Sequence, residues 1–350
     1  MLTFDGLVII HNGDWLVDRK KYRVYINSPH GTVTATPKKG FPGTVVTLTN
    51  EPDSGWTFNG YLLDGEPIVG NTFIMPEHDV TVTANYVFNA KIRLKYRSGT
   101  TPTFSKGTGV LIDAANNIWE LTYANPDWRY LLGGHSDLLE VVSADTTGVT
   151  IMSGLFDQCK LLNKVVLFDT SEVIDMGHMF FYCQELRSVP LYDTSKVTSM
   201  FGMFESCYKL VDVPSFDTSK VTNFSNTFHG CTSLTHVPNF NTSKATATGN
   251  MFYKCWALNT PPQLDLSKVT DTGGMFCYCY ALPYIPLYDL SSVQRVSYMF
   301  QECHSVTTGA LAMYNQLSTK QVEHYATFAQ CGDNNPSGQA ELARIPSDWK

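Results

Sequence analysis

Seven cysteines stand 24 residues apart, at Cys159, Cys183, Cys207, Cys231, Cys255, Cys279 and Cys303. Each follows a phenylalanine by three residues and precedes a leucine by three, except that Val306 closes the series. Cysteine can serve as a nucleophile, a metal ligand or half of a disulfide, and this spacing argues against all three. A reactive thiol needs surroundings unlike those of its neighbours, and seven equivalent positions do not offer that. A disulfide wants Cβ atoms about 3.8 Å apart and turned toward each other, whereas stacked repeat positions lie about 4.8 Å apart with parallel side chains. Cys277-x-Cys279 is the one close pair, and it falls short of a four-ligand site. The expectation is small buried thiols, folded in a reducing compartment, with no metal and no cofactor.

The row of acidic corners asks a similar question. Asp-Thr-Ser occurs at Asp169, Asp193 and Asp217, Asn241-Thr-Ser is a variant, and Asp265 and Asp289 precede Leu-Ser. A line of carboxylates suggests calcium. However, Asn241 interrupts it, and lysines at 196, 220, 244 and 268 are placed to neutralise it. An Asp or Asn side chain that accepts from the backbone N–H two residues on closes a tight corner, and that is the role expected here. His178, His229, His236 and His304 occupy different repeat positions. No phosphate loop, dinucleotide glycine fingerprint, His-Glu-x-x-His or Gly-x-Ser-x-Gly appears. The chain reads as non-enzymatic.

A fixed period of this length means one supersecondary unit stacked on copies of itself. Within residues 203–221 the expected inward set is Met203, Phe204, Cys207, Leu210, Val213, Phe216 and Val221. Residues 210–216 suit an extended strand. It is cut short by the proline recurring at Pro190, Pro214, Pro238, Pro262 and Pro286, because proline cannot donate to a ladder. Shifting the template back 24 residues places Leu138, Asp145, Val149 and Met152 in register, with His135 in the cysteine slot, so the array is expected to begin near 135. Terminal repeats are commonly atypical.

Composition bounds the rest. With 350 residues, 43% hydrophobic and 16% charged, the chain is ordered and long enough for more than one domain. A net charge of −7 argues against a nucleic-acid binder. No apolar run is long enough to span a membrane. The first charge is Asp5 and no basic residue precedes Arg19, which does not suit a secretory signal.

The expected divisions are residues 1–21, a terminal segment that could anchor a larger assembly, with a short strand at 7–10 and a turn at 11–14; 22–88, an all-β domain; 89–134, a β-rich linker and cap in which Trp119, Tyr123, Trp128 and Tyr130 plug the open core; 135–306, the repeat array; and 307–350, a cap and tail with helices at 310–317 and 319–330. Residue patterns carry two resemblances. Gly31-Thr32-Val33, 42–48, 51–56 and the closing stretch 71–86 resemble the divergent InlB B-repeat of bacterial surface proteins. That resemblance implies a small grasp-like β-domain used as a spacer or adhesive module. The motif Met-Phe-x-x-Cys-x-x-Leu-x-x-Val-Pro-x-Phe-Asp-Thr-Ser-Lys-Val-Thr resembles the BspA-type leucine-rich repeat, including its mycoplasma surface-lipoprotein branch, and implies a right-handed solenoid and, loosely, adhesion. The expected fold class is therefore mainly β: a grasp-like domain, then a right-handed leucine-rich-repeat solenoid with a helical C-terminal cap.

Function on such a scaffold is set by surface positions that depart from the repeat. Arg187, Asp212, His236 and Tyr284 on the extended segment, with Tyr208, Trp256 and Tyr280 on the adjoining turn, form the candidate binding surface. Surface modules joined to reduced cysteines suit a bacteriophage virion protein, a head decoration or tail fibre folded in host cytoplasm. Its repeats would contact a host cell-surface protein or glycan, and its N-terminal region other virion proteins. Homo-oligomerisation is compatible with this reading; nucleic-acid binding and membrane insertion are not expected. The alternatives are a bacterial surface adhesin of the BspA type and a structural scaffold without a ligand.

Overall fold

The computed structural model describes residues 20–350 and, before them, the backbone of three short strands, Thr3–Phe4, Leu7–Ile9 and Trp15–Leu16, paired into one antiparallel sheet. The expected turn at 11–14 and the anchoring role of the first residues lie outside the described residues. The chain divides into two compact units, residues 1–89 and 90–350.

In the first unit, residues alternating between apolar and polar make strands that bury one face. Gly31–Thr36, Val45–Pro52 and Thr72–Ile74 form one sheet, with Val45–Pro52 central. A second sheet runs in the order Lys39–Gly40, Tyr22–Asn27, Val80–Phe88, Trp56–Leu63, Glu66–Ile68. Val80–Phe88 is parallel to Tyr22–Asn27 and antiparallel to Trp56–Leu63. Val46, Leu48, Tyr61, Met75, Val80 and Val82 form the core. Two sheets and no helix stand where a grasp-like domain was expected; His78 sits in the loop before the last strand, its Nε2 3.1 Å from Asp64 Oδ2.

The second unit opens with an antiparallel sheet ordered Thr108–Asp113, Ile118–Tyr123, Ala90–Tyr96, Leu138–Asp145. Of the aromatic plug, Trp128 is fully buried, while Tyr130 is exposed.

Beyond Asp145 the expectation of a right-handed leucine-rich-repeat solenoid is corrected. From there to the helix at Ala310–Leu317 no strand forms, and the strands of the molecule belong to separate small sheets, nearly all of their pairings antiparallel. The 24-residue period is expressed instead as tight turns joined by single parallel bridges, such as Ile151 to Asp175, Asp175 to Ser199 and Ser199 to Asn223. The amides of Met152, Gly154, Phe156 and Gln158 donate to the carbonyls of Asp175, Gly177, Met179 and Phe181 at 2.8–3.0 Å. The amides between them, on Leu155, Asp157 and Cys159, fold back onto the carbonyls three residues earlier. Gly154 and Gln158 have φ of 63° and 57°, and this left-handed conformation recurs one residue before each ladder cysteine. Left-handed residues in alternation with right-handed ones cannot make an extended strand. In the 210–216 segment only Val211 bonds between turns, its N donating to Arg187 O at 3.1 Å and its O accepting from Thr235 N at 3.3 Å, and the proline removes a donor. Leu138–Asp145, the one strand in this register, has Val142 in the proline slot.

The inward set lies where expected: Met203, Phe204, Cys207, Leu210, Val213, Phe216 and Val221 are all buried. Phenylalanine rings stack from Phe156 to Phe328, with centroids 5.3–6.0 Å apart and planes within 12°. Each of the seven ladder thiols donates to a carbonyl on the preceding turn, as Cys207 Sγ does to Phe180 O at 3.0 Å and Cys303 Sγ to Phe276 O at 3.0 Å.

The C-terminal cap is partly helical, with helices Ala310–Leu317 and Pro336–Leu342. Residues 319–330 are not helical as expected but form one more stacked turn. Phe328 lies 6.0 Å from Phe300, and Trp349 covers Phe328 at 6.3 Å.

Candidate functional site

The site is built on the residue directly after each ladder cysteine. The left-handed residue lies two positions before it, and at this turn the cysteine side chain enters the core while that of the next residue leaves it. Successive turns place Tyr208, Thr232, Trp256, Tyr280 and His304 in this register. Trp256 stacks on Tyr280 with centroids 6.0 Å apart and planes at 23°, and Tyr280 stacks on His304 at 5.4 Å and 19°. Tyr208 meets Tyr182 edge-on at 5.9 Å. Trp256 is 46% exposed and Tyr280 37%, large values for aromatic rings, which ordinarily hide much of their surface.

Between the two aromatic groups the column steps down at Thr232. An open cleft of about 550 Å³ lies there, lined by Ser206, Tyr208, His229, Gly230, Thr232, Lys254 and Trp256. Gly230, at φ 75°, takes the left-handed slot before Cys231 and adds no side chain to the floor. Thr232 Oγ1 donates to Tyr208 O at 3.2 Å. His229 Nδ1 lies 2.9 Å from Glu205 Oε1, and Glu205 also approaches His178 Nε2 at 3.9 Å. Lys254 Nζ sits over the rings of Tyr253 and Tyr278, 5.4 and 5.7 Å from their centroids.

All seven sequence-predicted residues are exposed. The structure brings together Tyr208, Trp256 and Tyr280. Asp212 and His236 share a second register on adjacent turns, and Tyr284 follows two turns later, bridged to Thr308. Arg187 stands one position out of that register. Among the described residues no hydrogen bond or ring contact joins these four side chains to the aromatic column. Sequence reasoning missed Thr232, Lys254, His229 and His304. Writing the chain in 24-residue rows exposes Thr232 and His304, because both fall in the Tyr208 column.

The other chemistry considered has structural uses. Asp193 and Asp217 each accept from the amide of Ser195 or Ser219 at 2.9 Å, and those amide bonds hold both carboxyls below the usual range. The corner threonines tie turn to turn, as Thr170 Oγ1 does to Asp193 O at 2.8 Å. Two corner lysines bond elsewhere, Lys196 to Glu172 at 2.7 Å and Lys268 to Ser243 O, while the charges of Lys196, Lys220 and Lys268 add a smaller lowering to the corner carboxyls of Asp193, Asp217 and Asp265. Burial pushes the ladder thiols well up, Cys183 and Cys231 among them. Cys277 and Cys279 do not point the same way. Cys279 donates back to Phe252 O, whereas Cys277 faces Gln301 on the next turn and is pushed up to about 12.

The stacked turns also match a known family. A family model described as Mycoplasma protein of unknown function, DUF285, fits residues 134–236, 185–283, 208–314 and 237–335, together more than half of the chain. The chain belongs to this family. The DUF285 matches run from the turn containing His135 through the last stacked turn at Cys331. Residues 22–90, the first unit's sheets, match the divergent InlB B-repeat domain. Comparison with curated proteins and with solved structures gives no match.

Proposed function

We propose that this chain is a non-enzymatic recognition protein of a biological surface, whose DUF285 turns present the Tyr208–His304 column to a partner. The observation that carries this reading is the exposed stacking of Trp256 on Tyr280 and of Tyr280 on His304. Ordered, exposed aromatics beside polar groups supply contact area at low entropic cost and are typical anchors of recognition surfaces. The core ladder, by contrast, puts its thiols out of reach of any substrate.

A bacteriophage virion is the proposed setting, with the protein as a head decoration or tail fibre whose N-terminal region attaches to other virion proteins. Nine free, buried cysteines suit folding in a reducing cytoplasm. The second reading, a bacterial cell-surface adhesin, is favoured by the InlB B-repeat match and by the resemblance of the repeat motif to BspA-type surface proteins.

Two experiments test the proposal. Mass spectrometry of purified virions and of cell-envelope fractions decides the setting: the protein is expected in virions, and its recovery only from envelopes supports the adhesin. Binding of the labelled full chain to intact bacteria tests recognition itself. Saturable binding is expected, and none to any strain supports a scaffold without a ligand.

A further inference from the structure

The aromatic column is interrupted at one turn, and the interruption has the dimensions and chemistry of a ring-binding slot. Trp256 has one face covered by Tyr280. Its other face looks across Thr232 toward Tyr208, two turns away. At the column's own ring spacing of 5.4–6.0 Å per turn, two turns leave a gap between the rings that admits one further ring. The floor is low because Gly230 has no side chain and Thr232 is short and folded onto Tyr208 O.

The polar groups around the slot are positioned and partly unspent. Ser206 brings a hydroxyl to the wall. His229 has Nδ1 committed to Glu205, which leaves Nε2 for a hydroxyl. The indole N–H of Trp256 has no acceptor among the described residues. Lys254 is the one full charge lining the cleft without a carboxylate partner among the described residues, and Tyr253 and Tyr278 hold it in place. Aromatic walls, hydroxyl-matching groups and one cation suit a saturated ring with several hydroxyls and one negative charge. A flat apolar side chain would bury these polar groups without partners, which is unfavourable.

We propose that the cleft between Tyr208 and Trp256 is a subsite for one acidic pyranose of a surface glycan, stacked on both rings with its carboxylate on Lys254. This names the partner class for the recognition reading above and rests on it.

The test uses the intact chain and short oligosaccharides built on galacturonate, glucuronate and N-acetylneuraminate, with maltotriose as the neutral control, measured by titration calorimetry and tryptophan emission. At least one acidic oligosaccharide should bind saturably, with maltotriose about tenfold weaker or silent. Trp256→Ala should weaken binding about tenfold or more, as loss of a stacking anchor does. Lys254→Gln should abolish the preference for acid. The decisive variant is Thr232→Tyr, which fills the slot while completing the aromatic column. It should lose the oligosaccharide and keep its unfolding midpoint. Failure of all acidic probes to bind, or binding that survives both Thr232→Tyr and Trp256→Ala, overturns the subsite. If cells are bound while none of these saccharides is, the recognition reading stands and the glycan subsite is wrong. Should cell binding also be absent, both fall.

Discussion

The Cys183 thiol donates to the carbonyl of Phe156, 27 residues earlier, at 3.2 Å. That carbonyl also accepts the amide of Cys159 at 3.0 Å, so one oxygen closes a turn and ties down the next. The same relationship recurs at Cys207, Cys231, Cys255, Cys279 and Cys303, at 3.0–3.2 Å. Cysteine suits the position because it combines a small apolar volume with a weak donor. Alanine would lose the donor and leave a void, while valine would crowd the backbone of the neighbouring turn.

The first prediction concerns reactivity. Burial raises the ladder thiols, so little thiolate exists at neutral pH and reagents cannot reach what there is. Native protein should resist alkylation, and denatured protein should label at all nine cysteines. Cys277, the thiol pushed only to about 12, should react first on partial opening. Mass spectrometry of the labelled peptides reads the order; rapid native labelling at Cys207 would contradict the packing described.

Stability should be carried by the ring ladder rather than by the acidic corners. Phe228 touches rings on both sides, Phe204 at 5.7 Å and Phe252 at 5.5 Å. Phe228→Ala should cost about 3–5 kcal/mol. Asp217→Ala, which removes one exposed carboxylate-to-amide bond, should cost about 1 kcal/mol or less. Urea unfolding of the two variants compares them, and equal shifts of the midpoint would refute the ranking.

A pH dependence follows from His135, which occupies the first cysteine slot. Tyr96 Oη lies 2.6 Å from its Nδ1, and Phe104 stacks on it at 5.4 Å. Burial lowers its pKa, so folding favours the neutral ring. The unfolded chain then takes up the proton first, and this contribution to stability, complete above about pH 6.5, is lost as pH falls toward the folded value. His135→Asn should flatten the fall in urea midpoint between about pH 7 and 5.5 relative to the parent. An unchanged slope would show that His135 titrates as it does unfolded.

Much of this was readable from spacing, because a repeat constrains each residue through every copy of itself. The inward set of the 203–221 unit, the Asp-to-serine amide corners and the backward extension to His135 all follow from phase alone. Local conformation was less legible. Residues 210–216 look like a strand by composition, but Pro214 removes a donor and no ladder forms, and at the neighbouring turns left-handed positions such as Tyr182 and Lys254, neither glycine nor asparagine, carry no sequence warning. Residues 319–330 carried a helical polarity pattern, yet stacking of Phe328 on Phe300 overrode it, with the helix Ala310–Leu317 stretching that interval to 28 residues. Strand pairing in the first unit, such as Val80–Phe88 beside Tyr22–Asn27, depends on contacts distant in sequence. At the site, large aromatics were conspicuous. The small residue that makes the cleft, Thr232, was not.

The exposed column should be separable from the fold that bears it. Trp256 and Tyr280 lie outside the ladder of buried rings, so Trp256→Ala with Tyr280→Ala should leave the unfolding free energy within about 1 kcal/mol of the parent. The direct measurement is the affinity of this double variant for intact cells, side by side with the full-length parent. A loss of about tenfold or more, with the fold intact, is the result expected of a recognition surface. Undiminished binding by a folded double variant would contradict it.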